Sequence, residues 1–538
     1  MKDKHIKVYA TYSHIFGYKY DKSELIEIIN DLPLGTIFPI ISQLLFSPKL
    51  ANSQVIKDSF IKDLENIDSD KLFSIREKIG DSIIYTPQSL LTTWKWLLAY
   101  GNPDNLDKTV EPVQGLRNIL FLNLAISDYL FPENETNETD IIYELLRNIS
   151  FNSYEDIGSS IGRAYYIYCD IAIKKELFIE NEYIDFNNDF IKKNGYSIEL
   201  LLAILFGLYS SFIQESSITN NWRKDITVLF SKTSIPSNIS EIINPLLLNY
   251  SDANLWAVKT IEYPWNYQCF KDKPFFQFED KTIIPISGKM FTEQVFHELF
   301  YRVRNCYDED DVRFISFFGR PFEIYIANLL ENCAKMSSLK YEVIKEFRYG
   351  KDNSKKSPDA FLKLEKKLIV IEAKSQRIKA DAIEINDNSL LEKEKQRLVL
   401  SPLKQMCNRL SEIMICECPI DLSSISEIYL IIINVSDFPT LPPIEKEFSE
   451  QLKEYSNLPI RGFIHLNIIE YEILCYLLSR KNGRPITRIL ENYIDTYEKT
   501  SFRNFLKDSS IPYKRPDIIS RYLDRAYKRF NEILFPKK

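Results

Sequence analysis

Residues 357–375 read SPDAFLKLEKKLIVIEAKS. DAFLKLE and KLIVIEAKS carry the apolar, aromatic and β-branched content of strands, and LEKK supplies a tight polar turn between them, so the segment predicts a hairpin. Glu372 and Lys374 stand two apart on the second strand, so both side chains leave one face. Asp359 opens the first strand, where the short turn places its carboxylate beside Glu372. A simpler reading makes Asp359 a turn carboxylate capping backbone donors after Pro358, and Glu372 and Lys374 paired charges on an exposed strand. The apolar LIVI run immediately before them favours charges that face a cleft.

Outward from the hairpin, FTEQVFHELFYRVR and RPFEIYIANLLENCAKM read as helices, the second with Pro321 in its first turn. YEVIKEFRY reads as a further strand. On the other side, LEKEKQRLVLSPLKQMCNRLSEIMI is helical around a break expected at Pro402, and IYLIIINVS suits a strand buried on both faces. RGFIHLNIIEYEILCYLLSR starts extended near residues 463–468 and turns helical, and TRILENYIDTYEK and ISRYLDRAYKRFNEIL are helices. Upstream, SELIEIINDL, PQSLLTTWKWLLAY, GLRNILFLNLAISDYL and SIELLLAILFGLYSSF repeat apolar residues at three-to-four-residue intervals. These patterns predict a largely α-helical domain over residues 1–250, for recognition, sensing or partner binding, and a connector over 251–290. An α/β catalytic domain follows over 291–480, with a C-terminal helical extension packed on it over 481–538.

A chain of 538 residues exceeds what one hydrophobic core usually supports, so more than one domain is expected. The net charge of −7 excludes a surface that is cationic throughout, yet local fields, rather than totals, draw a phosphate backbone into a cleft. Eight dispersed cysteines suit a reducing cytoplasm, and the CxC at Cys416 and Cys418 lacks the second pair that a zinc finger needs. Four histidines form neither HExxH nor a compact cluster, and GxSxG, GxxxxGK[ST] and GxGxxG are absent from the sequence contexts that would give them meaning. No apolar run approaches the roughly 20 residues that span a bilayer, so no membrane partner is expected.

Pro358 and Asp359, followed by Glu372, Ala373 and Lys374, make the segment resemble the active-site hairpin of the PD-(D/E)xK nuclease superfamily, over about residues 291–478. The resemblance implies a restriction-endonuclease-like mixed sheet flanked by helices, and hydrolysis of nucleic-acid phosphodiesters. Asp359 and Glu372 are then expected to bind Mg²⁺, or Mn²⁺ in its place, because a hard cation prefers oxygen ligands. Lys374 would orient or activate the nucleophilic water. Such proteins often carry a helical glutamate before the hairpin and a polar residue on the following helix. Glu323 is the candidate for the first, as a further metal or water ligand, and Gln405 for the second.

Arg348, Lys351, Lys355, Lys356, Arg377 and Lys379 bracket the motif and are expected to contact phosphates without reading bases. The combined expectation is a cytoplasmic DNA endonuclease of restriction or phage defence, working as a homo-oligomer or with a defence-system partner. A nuclease fold without catalysis, serving interaction alone, and an RNA nuclease stay open as alternatives.

Overall fold

The structure is a computed structural model describing residues 10–47, 58, 69–130, 138–152, 155–213, 218–235, 239–385, 387–416, 418–436, 438–496 and 499–536. The chain divides into two compact units, one of Met1–Asn137, Ala203–Glu298 and Asn531–Lys538, the other of Glu138–Leu202 and Leu299–Phe530. This division departs from the linear boundaries expected at 250, 290 and 480. Among the described residues no single helix is long and apolar enough to cross a membrane.

The first unit is mainly helical. The Pro87–Tyr100 helix begins where Thr86 and Ser89 exchange side-chain and backbone hydrogen bonds in a capping box, with Pro87 in the first turn. Its Trp94 is fully buried and stacks on Phe38 of the Leu34–Phe46 helix at 5.4 Å between ring centroids. The expected connector over 251–290 is folded into this unit. It contains the Tyr250–Thr260 helix and an antiparallel strand pair, Phe275–Gln277 with Ile283–Pro285. Phe275, Phe276, Ile283 and Ile284 are fully buried, which accounts for the order of a stretch that lacks long-range periodicity.

The second unit is a mixed α/β domain. Its five-stranded sheet runs Ile460–Asn467, Glu427–Asn434, Lys367–Lys374, Ala360–Leu364, Glu342–Lys345. The first two pairings are parallel and the last two antiparallel. The hairpin appears where the sequence places it, with Glu365 in the left-handed region at φ 56° in the turn. Phe361, Leu368, Val370, Ile428, Leu430 and Ile432 form one core with Leu403, Met406, Cys407 and Leu410 of the Ser401–Ile413 helix. Because side chains alternate along a strand, Glu372 and Lys374 continue the face that carries Leu368 and Val370.

Two proline expectations are corrected. Pro321 lies well inside a helix that starts at Arg313 and runs to Met336. Phe314, Phe317 and Phe318 are buried at helical spacing ahead of it, so the apolar face fixes the helix start two turns early and outweighs the amide that proline lacks. At Pro402 no break occurs. The irregularity precedes it, as a π-helical turn over Gln396–Leu400 in which the Ser401 N–H donates to the Gln396 carbonyl, and Pro402 sits in the first turn of the following helix.

Residues 138–202 were expected in the helical first half, yet they belong to the second unit. Tyr143 and Leu146 pack into the core of the sheet, and a buried ion pair adds to them: Arg163 Nε and Nη2 donate to Glu472 Oε1 and Oε2 at 2.5 and 3.0 Å, while Nη2 also donates to Glu155. Tyr166 stacks on Tyr522 at 3.6 Å in the same unit.

Candidate active site

Pairing of Ala360 with Ile371 puts the next residues outward, Asp359 and Glu372, opposite each other across the hairpin. The Asp359 backbone is pinned from its other side, where its carbonyl accepts the Glu346 N–H at 3.0 Å. The first strand ends before it can pair with the amide of Ala373, and Asp359 Oδ2 accepts that N–H at 2.6 Å. Asp359 therefore does cap a backbone donor, as the simpler reading anticipated. Among the described residues its other oxygen, Oδ1, has no protein partner. Burial raises the Asp359 carboxyl well above the ordinary range, and the negative charges of Glu372 and Glu323 add to it, against lowering by the Ala373 amide and Lys374.

Glu372 is 1% exposed, and both of its oxygens are engaged. Lys374 Nζ donates to Oε1 at 2.6 Å, and Arg409 Nη1 lies 3.1 Å from each oxygen. Lys374 also donates to Gln405 Oε1 at 3.2 Å, so the expected strand lysine and helix glutamine do meet. Arg409 was not anticipated. Its signal was its place four residues after Gln405, one turn along the same helix face.

Glu323 is mid-helix, so it is no first-turn carboxylate. It accepts from Arg320 Nη1 at 2.7 Å, and burial, partly offset by Arg320, raises its carboxyl above the usual value. A methyl group on Gly319 would stand 3.8 Å from both Glu323 Oε1 and Ser375 Oγ, which places the glutamate beside the end of the lysine-bearing strand. Glu346, also missed in the sequence, bonds Lys356 at 3.3 Å and lies 4.0 Å from Arg320. Glu331, the other acid on the Glu323 helix, is occupied by Lys335 and Lys345 at 2.6 and 2.8 Å.

Most of the expected phosphate contacts are presented at the surface. Arg348, Lys351, Lys355 and Lys379 are exposed and Lys356 is half-buried. Arg348 and Lys356 flank a short hairpin whose strands are Arg348–Tyr349 and Lys355–Lys356. Glu412 accepts from Tyr349 Oη and Lys355 Nζ, both at 2.7 Å, and so ties this hairpin to the helix carrying Gln405 and Arg409. Arg377 differs: its guanidinium lies 4.1 Å over the Phe300 ring, held against aromatic groups and not projected toward a backbone.

Comparison of the chain with protein-family models, curated proteins and solved structures finds no match.

Among the described residues no three His, Cys, Asp or Glu side chains are gathered as a protein-only metal cage. Mg²⁺ asks for less, usually one or two carboxylates with waters and substrate phosphates. The donor chemistry here fits that demand. Asp359 carries an oxygen without a protein partner and sits among carboxylates whose mutual repulsion a divalent cation would relieve.

Proposed function

We propose that this chain is a divalent-metal-dependent nuclease of the PD-(D/E)xK type that hydrolyses phosphodiester bonds of DNA, on a restriction-endonuclease-like sheet. The register that sets Asp359 against Glu372, with Lys374 on the same face as Glu372, carries this reading. The mixed sheet between helices supports it. Asp359 and Glu372 would hold the ion, with Glu323 as a further ligand to it or its water. Bound Mg²⁺ supplies phosphoryl polarisation and a more acidic water.

The chain's own groups then divide the work. An ammonium has three N–H donors. Lys374 commits one to Glu372 and one to Gln405, and the third would serve the attacking oxygen or the developing phosphate charge. The Asp359 carboxylate is fixed by the Ala373 amide, so its Oδ1 is presented without a search over rotamers. Arg348, Lys351 and Lys379 would position the backbone, joined by Lys355 and Lys356 when phosphates replace their exposed carboxylate partners.

A second reading, a nuclease-type fold kept for interaction alone, is favoured by the double engagement of Glu372 by Lys374 and Arg409. One experiment separates the two. Purified protein is incubated with linear, circular and single-stranded DNA and with matched RNA, in Mg²⁺ or Mn²⁺. Metal-dependent cleavage of DNA, lost in Asp359→Ala and Lys374→Ala, is the expected result. Full activity in either variant overturns the assignment, and cleavage of RNA alone replaces the substrate.

A further inference from the structure

We infer that Arg409 is a resident counter-cation of Glu372 that exchanges partners: a divalent ion takes its place on the carboxylate, and the freed guanidinium binds the scissile-strand phosphate. The inference rests on the nuclease reading above and adds a residue that the sequence motif does not contain.

The geometry of the contact carries it. Arginine grips a carboxylate best through two nitrogens lying parallel to its two oxygens. Arg409 instead uses one nitrogen, Nη1, placed 3.1 Å from Oε1 and from Oε2. Among the described residues Nε and Nη2 donate to no protein group, and the side chain is 23% exposed. The guanidinium thus meets Glu372 with one corner, while its remaining nitrogens make no hydrogen bond among the described residues and lie within reach of the Glu412 charge.

Competition for Glu372 follows from its burial. With 1% exposure, the carboxylate is closed to solvent and lies against two partly exposed cations, Lys374 and Arg409. A divalent ion coordinated by Glu372 would stand close to both Lys374 and Arg409, and like charges at that range repel strongly in a partly dry site. One cation must withdraw. Lys374 has Gln405 as a second anchor at 3.2 Å. Arg409, on the Ser401–Ile413 helix, makes no second hydrogen bond among the described residues, so it is the group that moves. That helix also holds the Arg348–Lys356 hairpin through Glu412, so a swung guanidinium stays beside the cations expected along the substrate backbone. Its planar fork suits a phosphate better than the one-cornered contact it leaves.

Mn²⁺ binding to the full-length protein, followed by electron paramagnetic resonance, tests the exchange on wild type, Arg409→Met and Arg409→Lys. Removing the competing charge in Arg409→Met should tighten Mn²⁺ binding by roughly tenfold, equivalent to about 1.4 kcal/mol, while KM for duplex DNA rises by a similar factor. Arg409→Lys, which keeps a charge but loses the fork, should fall between. A residue needed only for packing would weaken or leave unchanged the metal affinity. Unchanged or weaker Mn²⁺ binding in folded Arg409→Met, or an unaltered KM, overturns the exchange while cleavage by wild type leaves the nuclease reading standing. If Arg409→Met does not fold, Arg409→Lys decides through the lost fork, since a wild-type KM for duplex DNA in it overturns the proposal. Absence of Mn²⁺ binding in all three proteins overturns both readings together.

Discussion

Asp359 serves the fold with one oxygen, which caps the Ala373 amide, and offers the other to a ligand. Its carboxyl is held well above the ordinary range, first by burial and then by Glu372 and Glu323. The folded state therefore binds its proton more tightly than the unfolded chain does, and between the two pKa values stability falls as pH rises. Asp359→Asn keeps an oxygen for Ala373 and removes the repulsion. In chelator at neutral pH it should raise the midpoint of thermal unfolding by about 2–4 °C, while DNA cleavage is abolished. A lowered midpoint would mean that the charge is not strained. The same proton opposes a cation, so Mn²⁺ affinity should increase by up to about tenfold per pH unit from about pH 5 until the raised pKa is passed. Calorimetric titration in buffers of differing ionisation enthalpy should register proton release over that window, and pH-independent affinity would remove Asp359 from the ligand set. Glu372 and Lys374 were legible in the sequence because strand periodicity puts them on one face, and Asp359 because the short turn sets it opposite Glu372. Arg409 was not, since its partner is set by how its helix docks on the sheet, whereas Arg320 stands one turn before Glu323 on the same helix, a spacing the sequence did display.

The Ser401–Ile413 helix brings Gln405 and Arg409 to the strand face that carries Glu372, and Leu403, Met406, Cys407 and Leu410 seat it on the sheet. The sequence declares this amphipathic helix plainly. It hides the π-helical turn over Gln396–Leu400, because proline chemistry suggests a break without saying where the backbone absorbs it. Pro321 teaches the converse, as three buried phenylalanines ahead of it carry the helix through a residue that ordinarily begins one. The glutamine supplied by the docked helix acts through Lys374 and touches neither acid. Gln405→Ala should accordingly lower kcat by about tenfold to a hundredfold, the usual cost of losing an outer-shell partner, and leave Mn²⁺ affinity unchanged. Single-turnover cleavage beside a metal titration distinguishes this from a ligand's role, in which both quantities would shift.

At the scale of the whole chain, periodicity reveals elements and not which distant elements share a core. Residues 138–202 look like a continuation of the helical first half, but their unit also holds residues 299–530. One of the ties is a buried charge, beside the apolar contacts of Tyr143 and Leu146. Arg163 and Glu472 are 0% and 4% exposed, and the Tyr325 hydroxyl donates to Glu472 at 2.6 Å. Burial costs a lone charge far more than a paired one, so losing one partner is worse than losing both. Arg163→Met should destabilise the protein by about 3–5 kcal/mol, as Glu472 and Glu155 are both left buried without their cation. Adding Glu472→Gln should recover part of that loss, because the amide still accepts from Tyr325 without carrying charge while Glu155 remains unpaired. Urea unfolding of the two single variants and the double variant measures the coupling, and simple additivity would mean that the pair does not hold the segment. The same logic bears on dissection: a fragment cut at residue 250 discards Arg163 and leaves Glu472 buried alone, so it should be insoluble. A co-expressed 138–202 segment should restore it, with recovery of soluble fragment as the readout.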